Sequence, residues 1–358
     1  MDVSVLNQQF ELVAIIDSYE SLIWTDRYNA YGDFEMCIAI NREELFPYLK
    51  EDNYLCIKES DHCMIIESIK TTTDAEEGNR LIVTGRSLES ILERRIMWGQ
   101  KTFGGALQNV IQLMLSDCII SPSIEGRKIP NFSFVPSDDS KMTSIQIHHQ
   151  YTGNNLYSVV KGLCEEHSIG FKVTLTSDNK FAFTLYSGSD RSYDQTQNAY
   201  VVFSPNFENI LSSNYLSSKV DFKNVTLVAG EGEGASRKTI AVGSASGLDR
   251  REIFTDARDI SSDTENGVLS DTEYYKQLQS RGEQKLADHA VITAFEGEVE
   301  ATRLFTYGKD FFVGDVVQIV DEYSNEGTVY ISEVVISNDN NGLTIYPTFQ
   351  NVVRKEEN

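Results

Sequence analysis

The sequence predicts a mainly β, multi-domain protein of the α+β class. Three observations predict it. Phe34, Met36, Ile38 and Ile40 alternate with Glu35, Cys37 and Ala39, which puts one apolar face on a pleated strand, and similar runs recur along the chain. Apolar residues at helical spacing are confined to a few stretches. The 358 residues exceed one typical domain, so two to four domains are expected, and 41% apolar content supplies their cores.

Residues 1–100 read as a first β-domain, a small barrel or sandwich. Strands are expected at Phe10–Ile16, Ser21–Tyr28, Phe34–Ile40, Tyr54–Lys58, Met64–Lys70 and Leu81–Thr84. Asn29–Asp33, with Gly32, is a turn; Asp74–Asn79 is an exposed one. Gly85 is expected to end the last strand, and Leu88, Ile91, Leu92 and Ile96 then predict a short amphipathic helix.

Residues 101–199 form an α+β module. Phe103, Leu107, Val110, Ile111 and Met114 keep helical spacing, and Ser121–Ser140, with three prolines, reads as irregular. A second helix is expected at Asn155–His167, its stripe being Leu156, Val159, Val160 and Leu163. Phe171, Val173 and Leu175 face Phe181, Phe183 and Leu185 across Ser177–Asn179, a hairpin over 171–185.

Residues 200–250 return to strands at Tyr200–Phe203, Asn224–Ala229 and Thr239–Val242, interrupted by Gly230, Gly232 and Gly234. Residues 251–297 hold a further helix, opened by Ser270 and Glu273 as a capping box. Its apolar face is Tyr274, Tyr275, Leu278 and Leu286. Residues 298–350 are β again, and Asn341-Gly342 marks a hairpin between Val334–Ile336 and Leu343–Tyr346. Residues 351–358 are a polar tail expected to fray.

Composition narrows the function classes. The net charge of −23 argues against wrapping or sequence-specific binding of nucleic acid, which needs basic patches. No signal-peptide pattern and no apolar run of membrane-spanning length occurs. Cys37, Cys56, Cys63, Cys118 and Cys164 are odd in number and lack a C-x-x-C pair. They predict buried small residues rather than a disulfide framework or zinc ribbon.

Each candidate for chemistry fails on its own terms. Gly230–Arg237 (GEGEGASR) is glycine-rich but carries Glu231 and Glu233 and no following G-K-[ST], so a turn with positive φ is the reading. Gly243–Gly247 (GSASG) has Ala245 where a nucleophile elbow needs serine. Ser337–Gly342 (SNDNNG) starts on Ser337 and reaches Thr348 where a calcium loop needs a bidentate Glu. The five histidines, His62, His148, His149, His167 and His289, form no zinc-binding spacing. Trp24 and Trp98 could line a sugar groove and are read as core or interface anchors. No catalytic, cofactor-binding or metal-binding residue is assigned, and no cofactor.

Several words together carry a resemblance: ESLIWTDRYNAYGDFEM, VTGRSLESILERRIMW, YSGSDRS (Tyr186–Ser192), NVTLVAGEGEGASR (Asn224–Arg237), FTDARDI (Phe254–Ile260) and YGKDFFVGDVV (Tyr307–Val317). In this order they resemble a family of bacteriophage tail-tip and baseplate hub proteins, from long-tailed phages and related contractile particles. The resemblance implies a structural virion protein and not an enzyme. It implies a homotrimeric ring closing the tail tube, with two tube-like antiparallel β-barrel domains per chain. The first barrel would join 1–100 to 200–240, and the second would combine part of 101–195 with 298–350. Implied partners are the tail tube or distal tail protein, a spike or tip protein and a tape-measure protein. The implied location is the virion tail tip, after assembly in the host cytoplasm. The alternative is a tail-associated cell-wall hydrolase or host-carbohydrate-binding tail protein; the sequence's end soon after YPTF (Tyr346–Phe349) argues against an appended hydrolase.

Overall fold

In the computed structural model the described residues are 1–39, 43–74, 78–264, 267–299, 304–320, 322 and 326–351. The strand end at Ile40, the middle of the Asp74–Asn79 turn and the 352–358 tail lie outside them. The chain divides into two compact units, neither contiguous in sequence. One comprises Met1–Ser90, Ser168–Tyr215 and Ala294–Asn358; the other comprises Ile91–His167 and Leu216–Thr293.

The first unit is built on a large sheet. Its strand order is Ile210–Ser218, Ile292–Val299, Gly342–Asn351, Glu326–Asp339, Ser21–Arg27, Asp33–Ala39, Gly78–Ser87, Cys63–Asp74, Tyr54–Ile57, Val3–Leu6 and Leu12–Ile16. A side branch pairs Val202–Phe203 with Val316–Val320, which joins Glu326–Asp339. The architecture is mainly β, and among the described residues the path is open at both ends.

Alternation explains the core. Leu22, Trp24, Phe34, Met36 and Ile38 are buried, whereas Ile23, at the opposite phase, is 40% exposed. They pack with Val83, Ile331, Val334, Ile336 and Phe349 in one cluster. Each such side chain contributes roughly 1.5–3 kcal/mol by leaving water.

Some local expectations are corrected. Gly85 does not end its strand, which runs Gly78–Ser87; it faces Ile66 beside a bulge before Ser68. The helix expected over 88–96 is a 3-10 helix, Leu88–Arg94. It stops there because the following backbone is drawn into extended pairing, Met97 N–H donating to Asn154 and Leu156 N–H to Arg95. Phe103 lies on a strand, Gln100–Ala106, and the helix begins only at Leu107. The Ser121–Ser140 segment contains a strand, Phe132–Val135. Tyr200–Phe203 shrinks to Val202–Phe203, and Phe10 stands outside Leu12–Ile16 with φ 62°.

In the second unit, Val225–Ala229 is flanked by antiparallel Thr239–Val242 and parallel Glu252–Asp256. The helix Asp271–Ala287 covers this sheet, with Tyr274 and Leu278 packed on Val228 and Val242. The Ser270–Glu273 capping box is present. The helix Leu156–Glu166 is capped by Asn155, whose side chain accepts from Ser158 N–H at 3.3 Å and donates to the Glu93 carbonyl at 2.9 Å. Asn155→Ala removes both bonds and should cost about 1–2 kcal/mol. Urea unfolding measures this, and a midpoint equal to that of the unchanged protein would refute the role.

Candidate functional site, a polar junction of three chain segments

The first unit is assembled from three stretches distant in sequence. Besides strand pairing, each two of them are tied at one point by a buried carboxylate.

Asp26 joins the first and last stretches. It follows Leu22 and Trp24 on the inward phase of its strand and is 1% exposed. Trp24 Nε1 and Ser60 Oγ donate to its Oδ1 at 3.1 and 2.8 Å, and Tyr307 OH donates to Oδ2 at 2.8 Å. Burial, and then the Asp26 charge, push the Tyr307 phenol well above its ordinary value.

Glu89 joins the first and middle stretches. It is fully buried and accepts the Val173 backbone N–H at 2.7 Å. His62 Nδ1 stands 3.3 Å from its Oε1. That geometry is an ion pair without hydrogen-bond alignment, since His62 Nδ1 and Glu89 Oε2 have no hydrogen-bond partner among the described residues. Burial alone would lower His62, but the Glu89 and Asp26 charges outweigh it and push it up to about 9. Burial opposes ionisation of Glu89 too, yet His62 and the hydrogen bonds from Ser87 and Val173 hold it below the usual carboxylate value.

Asp315 joins the middle and last stretches. It accepts from Ser189 N–H at 2.7 Å, Arg191 Nε at 2.7 Å and Phe312 N–H at 3.1 Å. Beside it the backbones touch: a Cβ on Gly188 would sit 1.8 Å from the Gly314 carbonyl oxygen. Gly314 itself has φ +94° and lies against the Tyr28 ring, so neither position admits a side chain. Tyr28 OH reaches the Ser168 and Tyr186 carbonyls and accepts the Gly188 N–H, at 3.3–3.4 Å.

A cleft of about 280 Å³ opens over the Asp26 end, lined by Lys58, Asp61, Lys172, Tyr186, Thr306 and Lys309 among others. Lys172 pairs with Asp61 at 3.6 Å and lies over the Tyr186 ring. Chemically the junction is a set of struts. Asp26 and Asp315 already receive three donors each, and His62 is held as a cation against Glu89.

The positions singled out in the sequence are scattered. Gly232 and Gly234 have φ +93° and +56°, as their turn requires. The same loop turns Glu231 inward, where it accepts from Ser261 Oγ, Ser262 N–H and Ser262 Oγ at 2.7–2.8 Å. Arg237 closes it on the Gly230 and Ala229 carbonyls. Gly243 and Gly247 are two positive-φ positions flanking Ala245. Ser337–Gly342 is a hairpin, with Asn338 opposite Leu343 and Asp339 opposite Gly342. His148 and His149 lie on the strand Gln146–Thr152, where His149 is buried and burial pushes it down to about 4. His289 Nδ1 stands 3.0 Å from the Lys285 carbonyl. Trp24 is a core residue; Trp98 is 58% exposed beneath the Arg127 guanidinium. Among the described residues no group of three His, Cys, Asp or Glu could hold a metal ion. No helix among them is long and apolar enough to cross a membrane.

Sequence reasoning missed Asp26, Glu89 and Asp315. A signal exists for two of them: Asp26 continues the phase of Leu22 and Trp24, and Asp315 that of Val313 and Val317. An acid on a buried phase is unusual enough to mark a junction.

Comparison with known proteins follows the same chain-long pattern. Residues 2–349 match the model of the family described as Siphovirus ReqiPepy6 Gp37-like protein. No curated protein matches the sequence. Among solved structures, the fold resembles the tail protein from Neisseria meningitidis MC58, with TM-score 0.61 and 12% identity over 97% of this chain and 95% of that one. It resembles the MuSo2 prophage 43 kDa tail protein from Shewanella oneidensis, with TM-score 0.60 and 10% identity over 98% of each. The prophage tail protein gp18 from Listeria monocytogenes EGD-e gives TM-score 0.57 and 13% identity, over 99% and 96%.

Proposed function

Since the chain belongs to the Siphovirus ReqiPepy6 Gp37-like family, we propose that it is a structural phage tail protein acting as a hub at the tail tip or baseplate. Three copies form a ring that adapts the six-fold tail tube to a three-fold spike or tip and passes DNA or is plugged before ejection. The observation that carries this reading is the end-to-end match in fold with three tail proteins, two of them from prophages. The hub role itself comes from the hub-family words at Glu20–Met36, Tyr186–Ser192 and Tyr307–Val317.

The open sheet supports the ring. Leu12–Ile16 pairs on one side only among the described residues, with Leu12 and Ile15 both more than half exposed. An apolar edge strand calls for a neighbour, and a head-to-tail contact that closes on itself supplies one to every copy. Completed in this way, the sheets of the first unit would provide the two tube-like barrels. Charge supports DNA passage: three copies at −23 each carry −69, and an acidic wall repels phosphates instead of holding them.

The partners in this reading are a tail tube or distal tail protein, a spike or tip protein and a tape-measure protein, and the location is the virion. A reconstruction of the tail tip should show three copies per particle around one axis. A two-fold or six-fold arrangement would overturn the trimer, and a lytic band from the purified chain in a cell-wall zymogram would overturn the purely structural role.

A further inference from the structure

We propose that Cys56 and Cys63 are a redox-convertible pair that closes into a disulfide when the protein meets a low-molecular-weight disulfide. The two residues stand directly opposite each other in the hairpin of Tyr54–Ile57 and Cys63–Asp74. Their Sγ atoms are 2.7 Å apart, with both cysteines free. Directly opposed residues of antiparallel strands have the Cα separation a disulfide needs. The sequence concealed the pair because the linking segment, Ile57–His62, is longer than a C-x-x-C spacing.

The two sulfurs are not equivalent. Cys56 is half-buried, and contact with Cys63 lowers its thiol. Cys63 is buried, and contact with Cys56 followed by burial push it well up. Cys56 is therefore the attacking thiolate and Cys63 the resolving thiol. In the first step Cys56 Sγ bonds to one sulfur of oxidised glutathione, whose S–S bond breaks and releases glutathione thiolate. In the second, Cys63 Sγ attacks Cys56 Sγ, loses its proton, and expels the second glutathione. Two protein thiols are oxidised and one small disulfide is reduced to two thiols.

The other cysteines face different groups: Cys37 lies against Glu20, Cys118 against the Met97 sulfur and the Ile96 carbonyl, and Cys164 is fully buried. Burial pushes all three thiols up. The pair also has a place in the junction. The segment it would close carries Ser60, which holds Asp26, and His62, which holds Glu89. Oxidation would fasten the base of this loop, so a chain made with free thiols becomes firmer on reaching an oxidising medium.

The test incubates the purified full chain with oxidised glutathione, removes it, and titrates thiols in denaturant. The five thiols should fall to three, peptide mapping should join Cys56 to Cys63, and the melting temperature should rise. Cys63→Ser should instead keep a glutathione adduct on Cys56. Five remaining thiols, a bridge involving Cys37, Cys118 or Cys164, a bridge between chains, or an unresolved adduct on the unchanged protein would each overturn the proposal.

Discussion

Asp26→Ala should destabilise the protein by about 3–5 kcal/mol, the range found when one member of a buried polar set is removed. The change deletes the acceptor for three donors at once, Trp24 Nε1, Ser60 Oγ and Tyr307 OH. Trp24 and Asp26 are essentially unexposed, so water cannot replace the Trp24 bond without opening the core, whereas Ser60 and Tyr307 are half-buried at the cleft. Ser60 is also fixed by the His62 backbone N–H at 3.0 Å, so the loss should spread to the loop lining the cleft. Asp26→Asn keeps one carbonyl acceptor and should recover part of the loss. Chemical denaturation monitored by tryptophan fluorescence reads both variants. An Asp26→Ala protein within about 1 kcal/mol of the unchanged one would mean that the junction does not hold the three stretches together.

Local structure was largely legible in the residues. The strands at Ser21–Arg27 and Asp33–Ala39, the hairpin over 171–185, the helix after Asn155 and the Ser270 cap all follow from periodicity and capping chemistry. Element ends were less legible where long-range pairing decides them. Leu88–Arg94 has the apolar spacing of a helix, yet the pairing of Arg95 and Met97 with residues 154–156 truncates it. Periodicity also carried on through Phe103, because Phe103, Leu107 and Val110 fit a helix until Gly104 and Gly105 are given weight; Gly105 has φ +130°.

The junction was illegible for a different reason. Its bonds join residues such as Asp26 and Tyr307, or Arg191 and Asp315, with sequence separations of 281 and 124. No local pattern encodes such a pair. Three of the words that carry the resemblance, TDRYNAYGDFEM, YSGSDRS and YGKDFFVGDVV, hold these residues. The structure brings Asp26 and Tyr28, Gly188 and Arg191, and Tyr307, Gly314 and Asp315 from those words to one place. Those words therefore contain residues that fix how the discontinuous unit closes.

The His62–Glu89 pair should make stability fall as pH rises from about 6.5 to 9. His62 rises from 6.5 to about 9 on folding, so the native state binds this proton more tightly than the unfolded chain does. Its contribution is complete below the unfolded value and disappears as pH climbs through the folded one. The size is roughly 3 kcal/mol, from about 1.4 kcal/mol per unit of displacement. The acid side is a poorer reporter, because Glu89, held low, and His149, lowered to about 4, both lose their contributions as pH falls. Above pH 10 the raised phenols of Tyr186 and Tyr307 add their own losses. His62→Gln keeps hydrogen-bonding capacity without the titrating charge, and it leaves Glu89 buried without a cation. It should therefore be much less stable than the unchanged protein at pH 6.5 and approach it by pH 9.5. Unfolding free energies of the two proteins across that interval decide the matter: a constant difference would show that His62 does not fold as a cation against Glu89.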